Sequence, residues 1–166
     1  LKELSGKVRF SSLQYLTIEP IKCVRSSQSP VIAGLTRNPH GEETLNQVQG
    51  DTDMLTVRLK NYVLLSPDAI NLDEANRLKL QEIANAEPLA LIEYWAVDPD
   101  YDGKVFRSVW QDYRGNVESD GDPLRVVTSA VITVPVKDTP RKVCVRVVDV
   151  FGFEAEVVAE VVEVQA

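Results

Sequence analysis

The sequence predicts a mainly β protein: an antiparallel β-sandwich with an N-terminal β-hairpin and one short connecting helix. Three observations predict it: apolar and polar residues alternate over 55–65, a mostly apolar run covers 89–97, and short strand-like segments alternate with turn clusters up to the C-terminus. Short strands at near-regular spacing favour a sandwich over a parallel α/β sheet. We therefore expect an N-terminal hairpin over 1–65, a helical connector over 66–88 and the sandwich over 89–166, with no catalytic centre within the β-rich region 54–164.

Two extended segments predict the hairpin. Val8–Glu19 is rich in β-branched and aromatic residues and stops before Pro20. In the second segment, 55–65, polar residues point one way and apolar residues point the other. The apolar face consists of Leu55, Val57, Leu59, Val63 and Leu65.

The stretch between these segments, 24–53, differs in composition. It is rich in Ser, Gln, Asn, Gly, Pro and Thr, and it has no persistent periodicity. Its strings VIAGLTRNP and TLNQVQGD resemble peptides translated from short bacterial intergenic repeat elements. The resemblance implies an element inserted into a surface turn, which a fold tolerates because loop-closure entropy grows slowly with length. We expect 24–53 to be a flexible excursion that holds no site.

The connector predicts a helix over 73–85. Asn71 followed by Glu74 is similar to a capping box, and Pro88 marks the end. One side of the helical wheel carries Leu72, Ala75, Leu80, Ile83 and Ala86.

The sandwich region alternates strands with turns. The run 89–97 predicts a buried strand, 98–103 a turn, 104–113 the returning strand, and 114–123 a loop. A corner at Phe151–Gly152 precedes the last strand. We expect the later strands to direct inward Leu124, Val126, Ala130, Ile132 and Val134, then Val143, Val145 and Val147, then Ala155, Val157, Ala159 and Val161.

The composition narrows the class of protein. The chain has 166 residues, is 44% hydrophobic and 26% charged, and carries a formal net charge of -7. These values are typical of a globular protein; no apolar run is long enough to span a bilayer, and the N-terminus has no secretory signal. We expect a cytoplasmic protein with no membrane partner. Because the chain does not start with Met, we also expect it to be part of something longer.

The charge pattern argues against direct DNA binding. The densest basic stretches, Arg58–Lys60 and Arg141–Arg146, alternate with apolar residues as strands do. A protein that binds nucleic acid through its own surface usually carries a larger basic patch, because affinity comes from counterion release. DNA is therefore expected to be contacted only indirectly.

Nucleophilic catalysis and thiolate metal sites find no support in the sequence. Cys23 and Cys144 form no CxxC pair, and we expect both to be reduced. The single histidine, His40, lies in the inserted stretch, so a Ser-His-Asp or Cys-His centre would depend on that stretch.

The candidate metal site is the acidic turn Asp98-Pro-Asp100-Tyr-Asp102-Gly. It matches the D-x-D-x-D-G opening of a calcium loop, in which alternate carboxylates converge on one cation. The twelfth position should be a bidentate Glu and is Val109, although Asp112 or Asp120 could supply a ligand. The competing interpretation is a turn whose Asp side chains accept backbone amide hydrogens.

Aromatic residues cluster on two neighbouring predicted strands. A stacking platform for bases or sugars is one interpretation, and two tryptophans anchoring the sandwich core is the other. The cluster consists of Tyr94, Trp95, Phe106, Trp110 and Tyr113.

Three blocks carry a family resemblance: YWAVD at 94–98, WQDYR at 110–114 and VVDVFG at 147–152. In this order they resemble a C-terminal region of bacterial site-specific, adenine-specific DNA methyltransferases of restriction-modification type. The resemblance implies a non-catalytic accessory domain whose partner is the catalytic domain or a restriction subunit, with S-adenosylmethionine as the cofactor of the parent protein and no cofactor here. Asp98–Tyr101 is one residue away from the DPPY motif of amino-methyltransferases, but Asp100 adds a charge where the base pocket needs an apolar turn, so no catalytic residue is carried over.

The second half also resembles a PKD-type, immunoglobulin-like sandwich. Trp95 with Asp98, and Val147 with Asp149, occupy the places of its Trp-x-Asp and V-x-V-x-D strands. Together with the acidic turn and the aromatics, this keeps a second function open: a calcium-binding β-sandwich module for adhesion or carbohydrate binding.

Overall fold

The computed structural model describes residues 14–26, 51–64, 70–116 and 124–161, and the backbone of 164–165. Its described strands form two sheets, and the mainly β architecture predicted from the sequence is confirmed. The first sheet contains β1 (Gln14–Ile18), β2 (Lys22–Ser26), β3 (Thr52–Leu64), β6 (Ser129–Pro135) and β9 (Val164–Gln165). The second contains β4 (Ile92–Asp98), β5 (Trp110–Tyr113), β7 (Arg141–Asp149) and β8 (Glu154–Val161). The helix α1 covers Glu74–Ala86, and a 3₁₀ helix covers Pro88–Leu91.

The long strand β3 organises the first sheet. Along one edge it pairs antiparallel with β1 and then with β2, and along the other edge with β6. The pairing of β1 with β3 is that of the predicted hairpin, while residues 8–13 lie outside the described part of the chain. Ser26 lies opposite Thr52, so both ends of the predicted insertion, 24–26 and 52–53, belong to the sheet and are not a flexible excursion. Residues 27–50 lie outside the described part.

A bulge at Lys60 changes which side of β3 faces the core. Thr17 lies opposite Asn61 but Ile18 lies opposite Leu59, so Lys60 is an extra residue in the ladder. Beyond the bulge, Tyr62 and Leu64 are buried. The predicted inward position of Val63 is therefore wrong, because a one-residue shift moves every later side chain to the opposite face.

The second sheet has the order β5-β4-β7-β8. Trp95 and Val97 of β4 are fully buried, as are the predicted inward valines of β7, and Ala155 and Val161 of β8 are buried too. These residues pack with Leu55 and Val57 of the first sheet in one core. The two sheets thus form the predicted sandwich, and each of these side chains removes apolar surface from water.

Three predictions about the strands were wrong. Residues 104–109 are not strand, and β5 begins only at Trp110. Residues 89–91 form a 3₁₀ helix, because Pro88 starts a tight turn before β4. Leu124 is 70% exposed instead of inward, since β6 begins five residues later at Ser129.

The predicted helix exists with a different cap. Asp73 is the N-cap residue, and its carboxylate accepts a hydrogen bond from Asn76 N at 2.9 Å. The predicted capping role of Asn71 is therefore wrong, while the predicted range 73–85 agrees with Glu74–Ala86 to within one residue. Leu80 is the buried residue of α1, and Ile83 is 43% exposed. The helix therefore covers the sandwich edge with a narrow apolar contact. Among the described residues, no helix is both long and apolar enough to cross a membrane.

Candidate functional site

The acidic turn follows directly from the end of β4. Asp98 is buried, and its two carboxylate oxygens accept from Asp100 N at 3.1 Å and from Arg107 N at 2.7 Å. A buried carboxylate is tolerated when such donors replace water. Asp98 therefore holds the start of the turn through Asp100 and also fixes the backbone at Arg107, beyond the end of the turn.

Asp102 holds the middle of the same segment. One oxygen accepts from Lys104 N and Val105 N at 2.8 and 2.9 Å, and the other accepts from the Arg107 guanidinium at 2.9 Å. These donors, the two backbone amides first and the guanidinium next, lower the pKa of Asp102 to about 2. The carboxylate is ionised at neutral pH and occupied by the chain's own donors.

Asp100 is paired with a third set of donors. Its carboxylate lies 2.6 Å from Lys137 Nζ and 3.8 Å from a guanidinium nitrogen of Arg141. The three carboxylates proposed as calcium ligands therefore satisfy three separate groups of donors. Among the residues that the structure describes, no three His, Cys, Asp or Glu side chains are grouped so that they could hold a metal ion. Asp112 is buried elsewhere, and Asp120 lies outside the described residues.

The segment 99–109, here called the strap, crosses the outer face of the second sheet. Tyr101 N donates to Lys142 O at 2.9 Å, and the ring centroid of Phe106 lies 4.5 Å from the guanidinium carbon of Arg146. Cys144 alternates with inward-facing valines and so faces outward, yet it is fully buried there. The strap therefore covers part of this face, and its aspartates serve to hold it in place.

Both cysteines are free and buried. Burial raises the pKa of Cys144 to about 11, with the charge of Glu156 adding to the effect. Burial and then the charge of Asp53 also raise the pKa of Cys23. A thiol acts as a nucleophile or metal ligand through its thiolate, so neither cysteine is suited to that chemistry.

The aromatic cluster is divided between the core and the surface. Trp95 is fully buried, and its Nε1 donates to Val127 O at 2.8 Å. Trp110 meets it edge-on, with ring centroids 4.5 Å apart, and Tyr113 is 47% exposed. With Trp95 buried and Phe106 packed against Arg146, the five rings do not form one open platform, and the core interpretation holds for Trp95.

A groove of about 570 Å³ runs between α1 and the end of the second sheet. Its apolar lining includes Leu80, Ile83 and Phe151. Its rim carries Arg114, which donates to Ala90 O and Ile92 O, and Arg125, which is paired with Glu87. The groove can accept apolar groups, but its arginines already have acceptors, and its described lining residues include no acid–base pair.

The sequence did not predict that Asp149 and Asp112 are buried hydrogen-bond acceptors that hold the fold. Asp149 accepts from Tyr62 Oη at 2.7 Å and from the amides of Phe151 and Phe153 at 2.9 Å each. Asp112 accepts from Val127 N at 2.7 Å and from the Asn116 side chain at 2.8 Å. The Asp-x-Phe-Gly string was the signal in the sequence for the role of Asp149, whereas Asp112 was considered only as a possible calcium ligand. Both stabilise turns.

No protein-family model, curated protein or solved structure matches this chain.

Proposed function

We propose that this chain is a non-catalytic accessory module of a cytoplasmic, adenine-specific DNA methyltransferase of restriction-modification type. It acts as a scaffold for the catalytic domain or a restriction subunit. One observation carries the non-catalytic role: the acidic side chains of the candidate site are all bound to donors of the chain itself. Side chains bound in this way hold the turn in place, which supports a role in the fold.

The three sequence blocks behind the proposed parent protein all belong to the framework of the second sheet. The first block coincides with the end of β4, the second with β5 and its turn, and the third with the end of β7 and its corner. Their shared role in holding this sheet supports an accessory region. The parent's cofactor, S-adenosylmethionine, has its place in the catalytic domain.

The test is a pair of measurements on the purified chain. Isothermal titration with S-adenosylmethionine should give no binding heat, and labelled methyl groups should not be incorporated into an adenine-containing duplex. Methyl incorporation above that of a heat-denatured sample would refute the proposal. The genomic context adds a second check: an adjacent reading frame that encodes a DPPY-bearing methylase is expected, and an export signal there would favour the adhesion module instead.

A further inference from the structure

The outer face of the first sheet gathers apolar and cationic side chains from three strands. Thr56 of β3 lies opposite Lys22 on one side and Val131 on the other, and Met54 lies opposite Val24. Directly opposite residues share one face of a sheet, and diagonal neighbours remain within reach of long side chains. The resulting surface, here called the basic face, consists of Lys22, Val24, Met54, Arg58 and Val131, with Lys60 at its margin.

The cations of the basic face have no carboxylate partner among the residues that the structure describes. Lys22, Arg58 and Lys60 are exposed, and none of them takes part in an ion pair with any described residue. Glu19 lies beside Arg58 across the ladder, because its amide donates to Arg58 O, but its carboxylate forms no ion pair among the described residues. Positive charge is therefore concentrated on one face of a chain whose net charge is -7.

The outer face of the second sheet is different. There Arg146 pairs with Glu156 at 2.9 Å, and Lys142 lies 3.8 Å from Glu160. The strap covers a further part of that face. Cross-strand pairs of opposite charge neutralise a sheet surface from within, and the basic face has no such pairs among its described residues.

The centre of the basic face is apolar. Val131 is 56% exposed, Met54 41% and Val24 37%. A cluster of exposed apolar side chains rimmed by charge is typical of a protein-interaction surface. A partner gains from burying this centre only if it presents apolar groups of its own.

We propose that the basic face is a docking surface for a partner protein that presents carboxylates around an apolar patch. This rests on the proposed scaffold function and names the chemistry of the surface that the module meets. Three cations are few for a phosphate backbone, which also provides no apolar groups for the centre.

The test uses a labelled synthetic helix of about five turns, with leucines along one face and glutamates on both flanks. Fluorescence anisotropy should show binding at about 50 mM salt that weakens at about 300 mM, since exposed charges are screened. The variant Lys22→Glu/Arg58→Glu should weaken binding at least about tenfold. The matched control Lys79→Glu/Lys104→Glu makes the same charge change on α1 and the strap and should stay within about twofold.

Other outcomes would overturn the proposal. Equal losses in the two double variants would show attraction by net charge alone. Preferential binding of a DNA duplex would assign the face to nucleic acid, and self-association abolished by Lys22→Glu/Arg58→Glu in sedimentation would assign it to a second copy. The methyl-transfer assay separates the two proposals. If the chain binds the helix and also transfers methyl groups, only the accessory role is refuted. If the chain does not bind the helix and does not transfer methyl groups, only the docking surface is refuted.

Discussion

The hydrogen bond between Tyr62 and Asp149 joins the two sheets inside the core. Both residues are about 1% exposed, and the hydroxyl donates to a carboxylate oxygen at 2.7 Å. Tyr62→Phe leaves that oxygen buried without this donor, while the other oxygen keeps its two backbone amides. A hydrogen bond to a charged group contributes about 1.5–3 kcal/mol, so we expect the free energy of unfolding to fall by about 2 kcal/mol. For a chain of this size, that corresponds to roughly 4–8 °C in Tm.

The assay is urea unfolding followed by tryptophan fluorescence, with Tyr94→Phe as the control. The Tyr94 hydroxyl donates to Gln111 at 3.1 Å in an exposed position, so its removal should change stability by less than about 0.5 kcal/mol. The slope against urea should be the same for wild type and both variants. If Tyr62→Phe were as stable as Tyr94→Phe, the argument for a charge-assisted bond between the sheets would be wrong.

The same bond predicts a loss of stability in alkali. Burial, and then the hydrogen bond to Asp149, raise the pKa of Tyr62 well above its ordinary value. In the unfolded chain this tyrosine ionises at about pH 10, whereas in the folded chain it stays neutral at that pH. The free energy of unfolding therefore falls as the pH rises above that value. The fall should be shallower in Tyr62→Phe, by up to about 1.4 kcal/mol per pH unit.

Three further predictions concern the strap, calcium and the corner before β8. Asp102→Asn should flatten the decrease of Tm between about pH 4 and pH 2. The pKa of Asp102 is lowered in the folded chain, so its contribution to stability is lost as the pH falls through this window. An unchanged decrease of Tm in this range would contradict the hydrogen bonds assigned to Asp102. Calcium at about 5 mM should leave Tm unchanged, since a calcium loop needs converging carboxylates; a saturable rise in Tm would support the calcium interpretation instead. Gly152→Ala should cost about 1 kcal/mol in urea unfolding, because Gly152 has φ +85° with open space around it, and no loss there would show that the corner adapts.

The alternation of residues within a single strand was enough to predict which of its side chains are buried. The alternation of Val143, Val145 and Val147 predicts their burial, and the Phe151–Gly152 corner lies where its residues indicate. The inward turn of Tyr62 could not be predicted, because the bulge at Lys60 depends on how β1 and β3 pair across the sheet.

For the candidate site, the sequence predicted the turn at 98–103, but it did not predict how the neighbouring segments pack around it. Asp98 and Asp102 accept backbone amides, as the turn interpretation expects. The apolar residues within 104–109 have the pattern of a strand. The strap nevertheless leaves the sheet, because the ion pair between Asp102 and Arg107 holds it across the outer surface. The basic face requires knowing that β2 and β6 flank β3, which no local pattern reveals.

The burial of Cys144 beneath the strap makes this thiol a natural probe of local opening. A thiol reagent can modify Cys144 only when the strap lifts or the sheet unfolds, so the labelling rate measures how often that happens. Cys23, buried in the first sheet, reports on a different part of the molecule. If the strap opens as a local unit, Cys144 will react faster than Cys23, and Asp102→Asn will accelerate only Cys144. Equal rates would mean that strap and sandwich open together, in one cooperative event.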